Sequence, residues 1–342
     1  MTTEKIGGRL MLGVQLEAPP SEPASELAGR VIKHFLVDKA WHGSGGRDRF
    51  TLLNSAEIIQ VCQQVRLLLK RQETLVQVKP PCRVFGDLHG QLQQLLDLFE
   101  RYGSPNHYNG DVRLIHYVFN GDFVDRGPNS LEVVLLLFSL KVMYPTQITL
   151  LRGNHEDRVV NAAYGFREEL ENRMEFGLVC WKEFNRAFEW LPLCAQIGSR
   201  VLCMHGGIGD LTSLTEIRRI SRPLESSSCS PAVTSLLWSD PTSSDAILGL
   251  HANLPRGGST GGVVSFGPDR VHQFCERNNI DIIIRSHQCV PSGYRFNAGG
   301  KMVTVFSAAN YCHTKENDGA LLEISQDLVV MPRVLPFRRT RS

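Results

Sequence analysis

At 342 residues, 42% hydrophobic and 21% charged, the chain is long enough for one large α/β domain with a substantial buried core. Its formal net charge of +2 offers no electrostatic case for nucleic acid or a membrane surface as partner. Nine cysteines, an odd number without a Cys-x-x-Cys pair, read as reduced and mostly buried thiols, which points to the cytoplasm, the nucleus or both.

Residues 1–24 combine glycines with Pro19, Pro20 and Pro23 and few periodic apolar positions, the composition of a flexible arm or linker. Glu4 and Lys5 followed by glycines suit neither a secretory signal nor a membrane span. A helix is expected to begin near Ser25, with Ser25 as its cap and Leu27, Val31 and Phe35 on its apolar face. A second is expected from Asn54 or Ser55, burying Ile58, Val61, Cys62, Val65 and Leu69.

Three short apolar runs follow, Cys82–Phe85, His116–Phe119 and Ile148–Leu151, each with the β-branched or aromatic members of a buried strand. Each ends in a polar cluster: Gly86-Asp87-Leu88-His89-Gly90, then Gly121-Asp122-Phe123-Val124-Asp125-Arg126-Gly127, then Arg152-Gly153-Asn154-His155-Glu156. Between them, Leu92, Leu95, Leu96 and Phe99, and then Leu131, Val134, Leu135 and Phe138, recur at helical spacing. Alternating strand and helix implies parallel strands joined by crossovers, and in such sheets ligands gather at the carboxyl ends of the strands. Further on, Val201–Met204 leads into His205-Gly206-Gly207, and Ile282–Arg285 leads into Ser286-His287-Gln288. Ser221 to Ser244 is serine-rich and reads as ordered loop plus connector.

Asp87, His89, Asp122 and Asn154 mix hard oxygen donors with imidazole nitrogen, a set that suits manganese, iron or zinc better than calcium. A carboxylate between two cations can bridge them, and two metals about 3.5–4 Å apart activate a water and neutralise charge on a phosphoryl group. The chemistry so implied is phosphoester hydrolysis. Taken singly, an Asp-x-His pair is more often a surface loop, and glycine beside aspartate an ordinary turn. Five such clusters at five expected strand ends are not explained that way.

The chain resembles the PPP family of metal-dependent serine/threonine protein phosphatases, whose runs Gly-Asp-x-His-Gly, Gly-Asp-x-Val-Asp-Arg-Gly and Gly-Asn-His-Glu are all intact here. The likeness continues through Leu237-Trp238-Ser239-Asp240-Pro241, Arg256-Gly257, Ser286-His287-Gln288 and Ser307-Ala308-Ala309-Asn310-Tyr311-Cys312, and covers roughly residues 50–330. Cys203 to Gly209 and Arg30 to Gln91 look closest to the branch that carries kelch repeats before its catalytic domain. No kelch repeat, nor any internal repeat, occurs here, which suggests a catalytic domain from a longer parent.

The expected architecture is a four-layer α/β metallophosphoesterase sandwich, two facing mixed sheets flanked by helices, with the site at one end. Residues 25–332 would form the catalytic domain, with Met302–Phe306, Gly319–Ile324 and Leu328–Val334 in the second sheet. Residues 333–342, with Arg333, Arg338, Arg339 and Arg341, would be a basic tail.

By similarity, Asp87, His89 and a bridging Asp122 would hold one divalent metal, and Asp122, Asn154, His205 and His287 the other, manganese first with iron or zinc as alternatives. A metal-bridging water or hydroxide would attack phosphorus without a phosphoenzyme. Arg126 and Arg256 would clamp the phosphate oxygens, a task suited to the guanidinium fork, while Asn154 would also bond the phosphate and Tyr311 would line its pocket. His155, oriented by Asp125, would be the general acid for the leaving serine or threonine oxygen. Two departures from the family stand out: Ile208-Gly209-Asp210 replaces Leu-Ser-Pro, and the glycine-rich run after Arg256 would place that arginine on a mobile loop. His313 and Lys315, on the loop expected to overhang the site, would alter its charge preference.

Phosphoprotein substrates and a regulatory or targeting protein, or a kelch domain in the parent chain, are the partners implied. A phosphodiesterase or dinucleoside-polyphosphate hydrolase would use the same metal core, but His155-Glu156, Trp238 to Pro241 and Ser307 to Cys312 follow the protein-phosphatase pattern. A phosphoprotein-binding pseudo-enzyme is the third reading, opposed by the presence of every expected ligand.

Overall fold

The computed structural model describes residues 22–41, 43, 48–226, 230–257 and 262–337. Residues 1–21 of the expected arm, and Arg338, Arg339 and Arg341 of the expected tail, lie outside the described residues.

The chain enters through α1 (Glu22–Ile32), continued by a π-helical turn over Lys33–Val37. This helix starts upstream of Ser25, so Ser25 sits inside its first turns and does not cap it; Pro23 near the start is tolerated because the first turn has no intrahelical use for its N–H. In α2 (Ser55–Lys70) Asn54 and Glu57 form a reciprocal capping box, and the expected apolar face is buried.

The five-stranded sheet has the order β14 (Val330–Leu335), β13 (Gly319–Ile324), β2 (Cys82–Phe85), β3 (His116–Phe119), β4 (Ile148–Leu150). Its β2, β3 and β4 run parallel, joined by the crossover helices α3 (Leu92–Tyr102) and α4 (Ser130–Met143). The six-stranded sheet has the order β1 (Leu75–Val78), β5 (Cys194–Ile197), β6 (Val201–Met204), β10 (Ile282–Arg285), β12 (Met302–Val305), β11 (Tyr294–Asn297), with β6, β10 and β12 parallel. Both sheets are mixed, as expected. One placement differs: β13 and β14 belong to the first sheet, because β13 pairs antiparallel with β2, Leu322 opposite Val84. Only β12 joins the second. Arg333 lies within β14 and pairs with Glu323 of β13 at 2.6 Å, so it is part of the sheet and not of a tail.

The period-2 alternation of the strands builds the layers. Val84, Val118, Cys203, Ile284, Val303 and Leu322 fill the seam between the sheets. On the outer side of the first sheet, Phe85 and Phe119 pack against α3 and α4 and, through them, α1, α2, α5 (Arg158–Ala163), α6 (Phe166–Arg173) and α7 (Gly177–Phe188). On the outer side of the second lie α8 (Leu214–Arg218), α9 (Pro231–Trp238) and α10 (Pro268–Asn278). Ser221 to Ser244 therefore holds a helix, α9, capped by Ser230, in place of a plain connector. Helix α4 is buried on nearly every side and apolar all round, as a helix without a solvent face must be. Its two buried charges are satisfied: Glu132 by Arg173, Lys141 by the carbonyls of Pro145 and Ile148.

A third, three-stranded sheet was not foreseen: β7 (Asp240–Pro241), β9 (Val264–Phe266), β8 (Leu250–Ala252). It stands beside the carboxyl ends of the second sheet, tied to them through Asp240 and Arg285.

Candidate metal centre and phosphate clamp

Six loops meet where the sandwich strands end. Those after β2, β3 and β4 bring Asp87 and His89, Asp122 to Arg126, and Asn154 to Glu156; those after β6, β10 and β12 bring His205, His287 and Tyr311. Tight turns are required to point ligands from strand ends into one volume, and His89, Asp122, Asp125, Arg126 and His287 all hold positive φ between 44° and 74°. Such strain in residues other than glycine persists only where the surroundings over-determine it.

Here the surroundings are specific. The carboxylate of Glu156 accepts from the backbone N–H of Asp122 at 2.7 Å, Phe123 at 2.8 Å and Gly153 at 2.8 Å, locking the second and third loops together. The N–H of Leu88 and of His89 both donate to the Asp122 carbonyl at 2.9 Å, which ties in the first loop. Gly153 is obligatory, since a Cβ there would lie 2.2 Å from Asp122 Oδ1. The two sheets are stitched by His287 N–H donating to Asp87 Oδ1 at 3.0 Å and by Asn120 Nδ2 donating to the Met204 carbonyl at 2.7 Å.

The converging atoms are electron-rich. His89 Nε2 lies 3.5 Å from Asp122 Oδ2 and 3.7 Å from Asp87 Oδ2. His205 Nε2 lies 3.3 Å from Asp122 Oδ2, 2.9 Å from Asn154 Oδ1 and 3.2 Å from His287 Nδ1. The other ring nitrogens of His89 and His205 face the carbonyls of Val124 and Asn120 at 3.0 and 2.9 Å, so each ring donates outward and turns its Nε2 inward. His287 Nε2 is buried without a hydrogen-bond partner among the described residues.

Burial and mutual charge shape the titration of this cluster. Burial, then the Asp122 carboxylate, pushes Asp87 up to about 6, and the same two causes push Glu156 up to about 7. Burial works against charge on Asp122 as well, but the His205 and His155 imidazoles hold its carboxyl well below the usual range. Burial and His155 push His89 down to about 3, and burial with His205 holds His287 well below the ordinary imidazole value. His205 is lowered by burial but carried up to about 9 by Asp122 and Asp87.

Three imidazoles, two of them held neutral, converge with two buried carboxylates and an amide oxygen, and the pull of Asp122 and Asp87 on His205 marks the site as one that favours positive charge, a chemical fit for divalent cations with the oxygen and nitrogen ligands of a manganese, iron or zinc site. Two ligand groups emerge among the described residues, His89–Asp122–His155 and Asp122–His205–His287, each with its ligand atoms within 4.8 Å of one another. Asp122 belongs to both, the position of a bridge. Asp87 stands at the first beside His89, and Asn154 at the second beside His205.

Around this cluster stand the other expected residues. His155 Nδ1 faces Asp125 Oδ2 at 2.6 Å, and the His155 ring lies edge-on to His89, with centroids 4.7 Å apart. Burial lowers His155, but Asp122 and Asp125 together raise it above the ordinary imidazole value. Tyr311 tilts over His89 with centroids 5.1 Å apart. Arg126 is exposed, its guanidinium 4.0 Å above the Tyr164 ring. Arg256, expected on a mobile loop, instead ends a 3-10 turn over Leu254–Arg256 closed by Gly257 in the left-handed region. Its Nε lies 3.1 Å from Asp240 Oδ2 and its Nη2 donates to the His287 carbonyl at 2.8 Å, which fastens it to the second ligand group. Residues 258–261 of the glycine-rich run lie outside the described residues.

Four residues carry structural weight that sequence reasoning missed. Glu156 was visible in the motif, but nothing local says that its carboxylate takes the N–H groups of Asp122 and Phe123 from the preceding loop along with that of Gly153 in its own. Tyr164 carried no signal beyond being aromatic. Asp240 of the third sheet anchors Arg256 at 3.1 Å and is itself held by the fully buried Arg285 of β10 at 2.8 Å; the acidic residue within Trp238-Ser239-Asp240-Pro241 was the available hint.

Comparison with known proteins agrees with this geometry. Residues 81–291 match the family model for calcineurin-like phosphoesterases. The chain is 44% identical over 309 residues to the serine/threonine-protein phosphatase BSL2 of Arabidopsis thaliana, covering 90% of this chain and 30% of that protein. It is 39% identical to the serine/threonine-protein phosphatase PP1-delta of Caenorhabditis elegans, covering 84% of this chain and 88% of that one. Among solved structures it superposes on a protein serine/threonine phosphatase from Saccharomyces cerevisiae, itself described as similar to human phosphatase PP5. That match has a TM-score of 0.76 at 28% identity and covers 90% of this chain and 96% of that one. The chain thus spans less than a third of the Arabidopsis relative and most of the nematode one.

Proposed function

The chain belongs to the calcineurin-like phosphoesterase family, among its serine/threonine protein phosphatases, and from that premise we propose that it hydrolyses phosphoserine and phosphothreonine esters of proteins at the cluster around Asp122. The observation that carries this reading is the juxtaposition of the buried Asp87, Asp122, His205 and His287 with a His155–Asp125 pair held at 2.6 Å.

When bound, divalent cations, manganese first with iron or zinc as alternatives, would supply positive charge to the phosphoryl oxygens and acidify a water. Asp87, His89 and Asp122 would hold one, and Asp122, Asn154, His205 and His287 the other. The protein's own groups do the rest. Arg126 and Arg256 grip the phosphate oxygens, and the Asn154 amide adds a hydrogen bond. The Asp125 carboxylate accepts the His155 Nδ1–H and favours the imidazolium, whose Nε2–H is the proton given to the departing serine or threonine oxygen. Tyr311 closes the wall over His89 and limits solvent.

Action in the cytoplasm or nucleus, and control by a regulatory protein or a kelch domain of a longer parent chain, belong to the same proposal. No helix among the described residues is long and apolar enough to cross a membrane. Manganese-dependent release of phosphate from a phosphothreonine peptide, with Asp122→Asn alongside, tests the reading. Turnover that requires metal and disappears in the variant supports it; a metal-loaded chain inert on phosphopeptides but active on a dinucleoside polyphosphate overturns it.

A further inference from the structure

Under the three-stranded sheet lies a cavity of about 710 Å³, within the roughly 300–1,000 Å³ usual for ligand sites. Arg256 belongs both to its wall and to the phosphate clamp, and Gln288, next in sequence to His287, lines it as well. The groove therefore opens directly from the residue that would hold the phosphate, on one side of it.

The charge of the groove is one-sided. Its wall holds a single carboxylate among the described residues, Asp240, and that group is already engaged by Arg285 at 2.8 Å, Arg256 at 3.1 Å and Asn253 at 2.9 Å. The nearby Asp245 and Asp269 lie outside the wall, where they accept the N–H of Gly299 and of Gly249. Against them stands Arg295, exposed on β11 at the edge of the six-stranded sheet, with no ion pair or hydrogen bond to any described side chain. Gln288 gives its Oε1 to Arg285 at 3.0 Å, which leaves its amide N–H groups for a ligand.

We propose that this groove receives the segment flanking the phosphorylated residue of a protein substrate and selects acidic side chains there, with Arg295 as the specificity-determining residue. The proposal rests on the phosphatase reading above. A carboxylate entering the groove meets an unpaired guanidinium and amide donors. A basic side chain meets Arg295 and Arg256 with no free carboxylate to answer it, so discrimination comes from repulsion as much as attraction.

The test compares kcat/KM on two phosphothreonine peptides of equal length, one with glutamates and one with lysines on either side of the phosphoresidue, and adds p-nitrophenyl phosphate as a substrate without a flank. The native chain is expected to favour the acidic peptide about five- to tenfold, the size of a few partly exposed charge pairs, and to lose that preference as salt is added. Arg295→Glu should abolish or invert the preference and Arg295→Lys should retain it. The ratio of the two peptides within one variant is independent of how much of that variant is folded. Equal rates on both peptides in the native chain, or a preference untouched by Arg295→Glu, overturns the groove assignment while leaving the phosphatase reading intact. Metal-loaded protein silent on all three substrates overturns the phosphatase reading, and the groove assignment with it.

Discussion

The proposed ligand cluster and arginine clamp would serve one phosphate and are built by opposite means. Asp87, Asp122, His205 and His287 are almost sealed from solvent, on loops locked by the Glu156 carboxylate and by the His287 N–H that donates across the sheets to the Asp87 carboxylate. Arg126 is exposed and rests on an aromatic face, and Arg256 projects from one short turn of the smallest sheet. Charges that hold a cation gain from a dry, fixed position, where Coulomb interactions are strong and unscreened. Charges that meet a substrate must admit it and let it go, and they retain solvent access.

Substitutions should respect that contrast. The largest loss is expected from Asp122→Asn, which removes the charge common to both ligand groups: phosphate release should fall to background and metal analysis should show both ions weakened. Full occupancy with full turnover would remove Asp122 from the bridging position.

His155→Asn comes next, with kcat lowered by roughly 10²- to 10⁴-fold, the usual worth of a positioned general acid, while metal content is kept. The pH profile sharpens this. Because Asp122 and Asp125 raise His155 despite its burial, its acid form survives above the ordinary imidazole range; kcat should hold to that pH and fall beyond it, and the fall should be missing in His155→Asn. The same raised value stabilises the fold fully below the unfolded imidazole pKa, and that contribution is lost as pH rises through the folded one. A melting temperature that rose across that alkaline interval in the native chain, relative to His155→Asn, would contradict the sign.

Arg256→Ala should cost about 10²-fold in kcat/KM, the scale for one group that stabilises transition-state charge, with the fold intact by thermal melting. Smallest is Tyr164→Leu, which removes the aromatic support 4.0 Å from Arg126: a loss of about two- to fivefold in kcat/KM follows from a cation–π contact at an exposed site. Equal losses for Arg256→Ala and Asp122→Asn would dissolve the distinction between clamp and cluster.

Much of this arrangement was legible in the residues because each buried parallel strand is an apolar run and each ligand loop begins where the run stops. Cys82–Phe85, His116–Phe119, Val201–Met204 and Ile282–Arg285 are strands within the ranges read from the chain. The sheet to which a strand belongs was not legible: Gly319–Ile324 is as apolar as a strand of either sheet, and only its pairing with β2 decides. The third sheet escaped because strands of two or three residues show no period. Ser25 misled because a capping residue type carries no mark of whether the helix has already begun.

Composition gave no electrostatic case for a nucleic-acid or membrane partner, and local pattern identified the strands that run into the ligand loops and the polar residues at their ends, since these depend on neighbours in sequence. Tertiary structure alone decided how Glu156 locks the loops, how Asp240 shares itself between Arg256 and Arg285, and how Tyr164 supports Arg126. Those relations join residues from separate loops, sheets and helices, and hydrogen bonds and ion pairs act over a few ångströms of space whatever the distance along the chain.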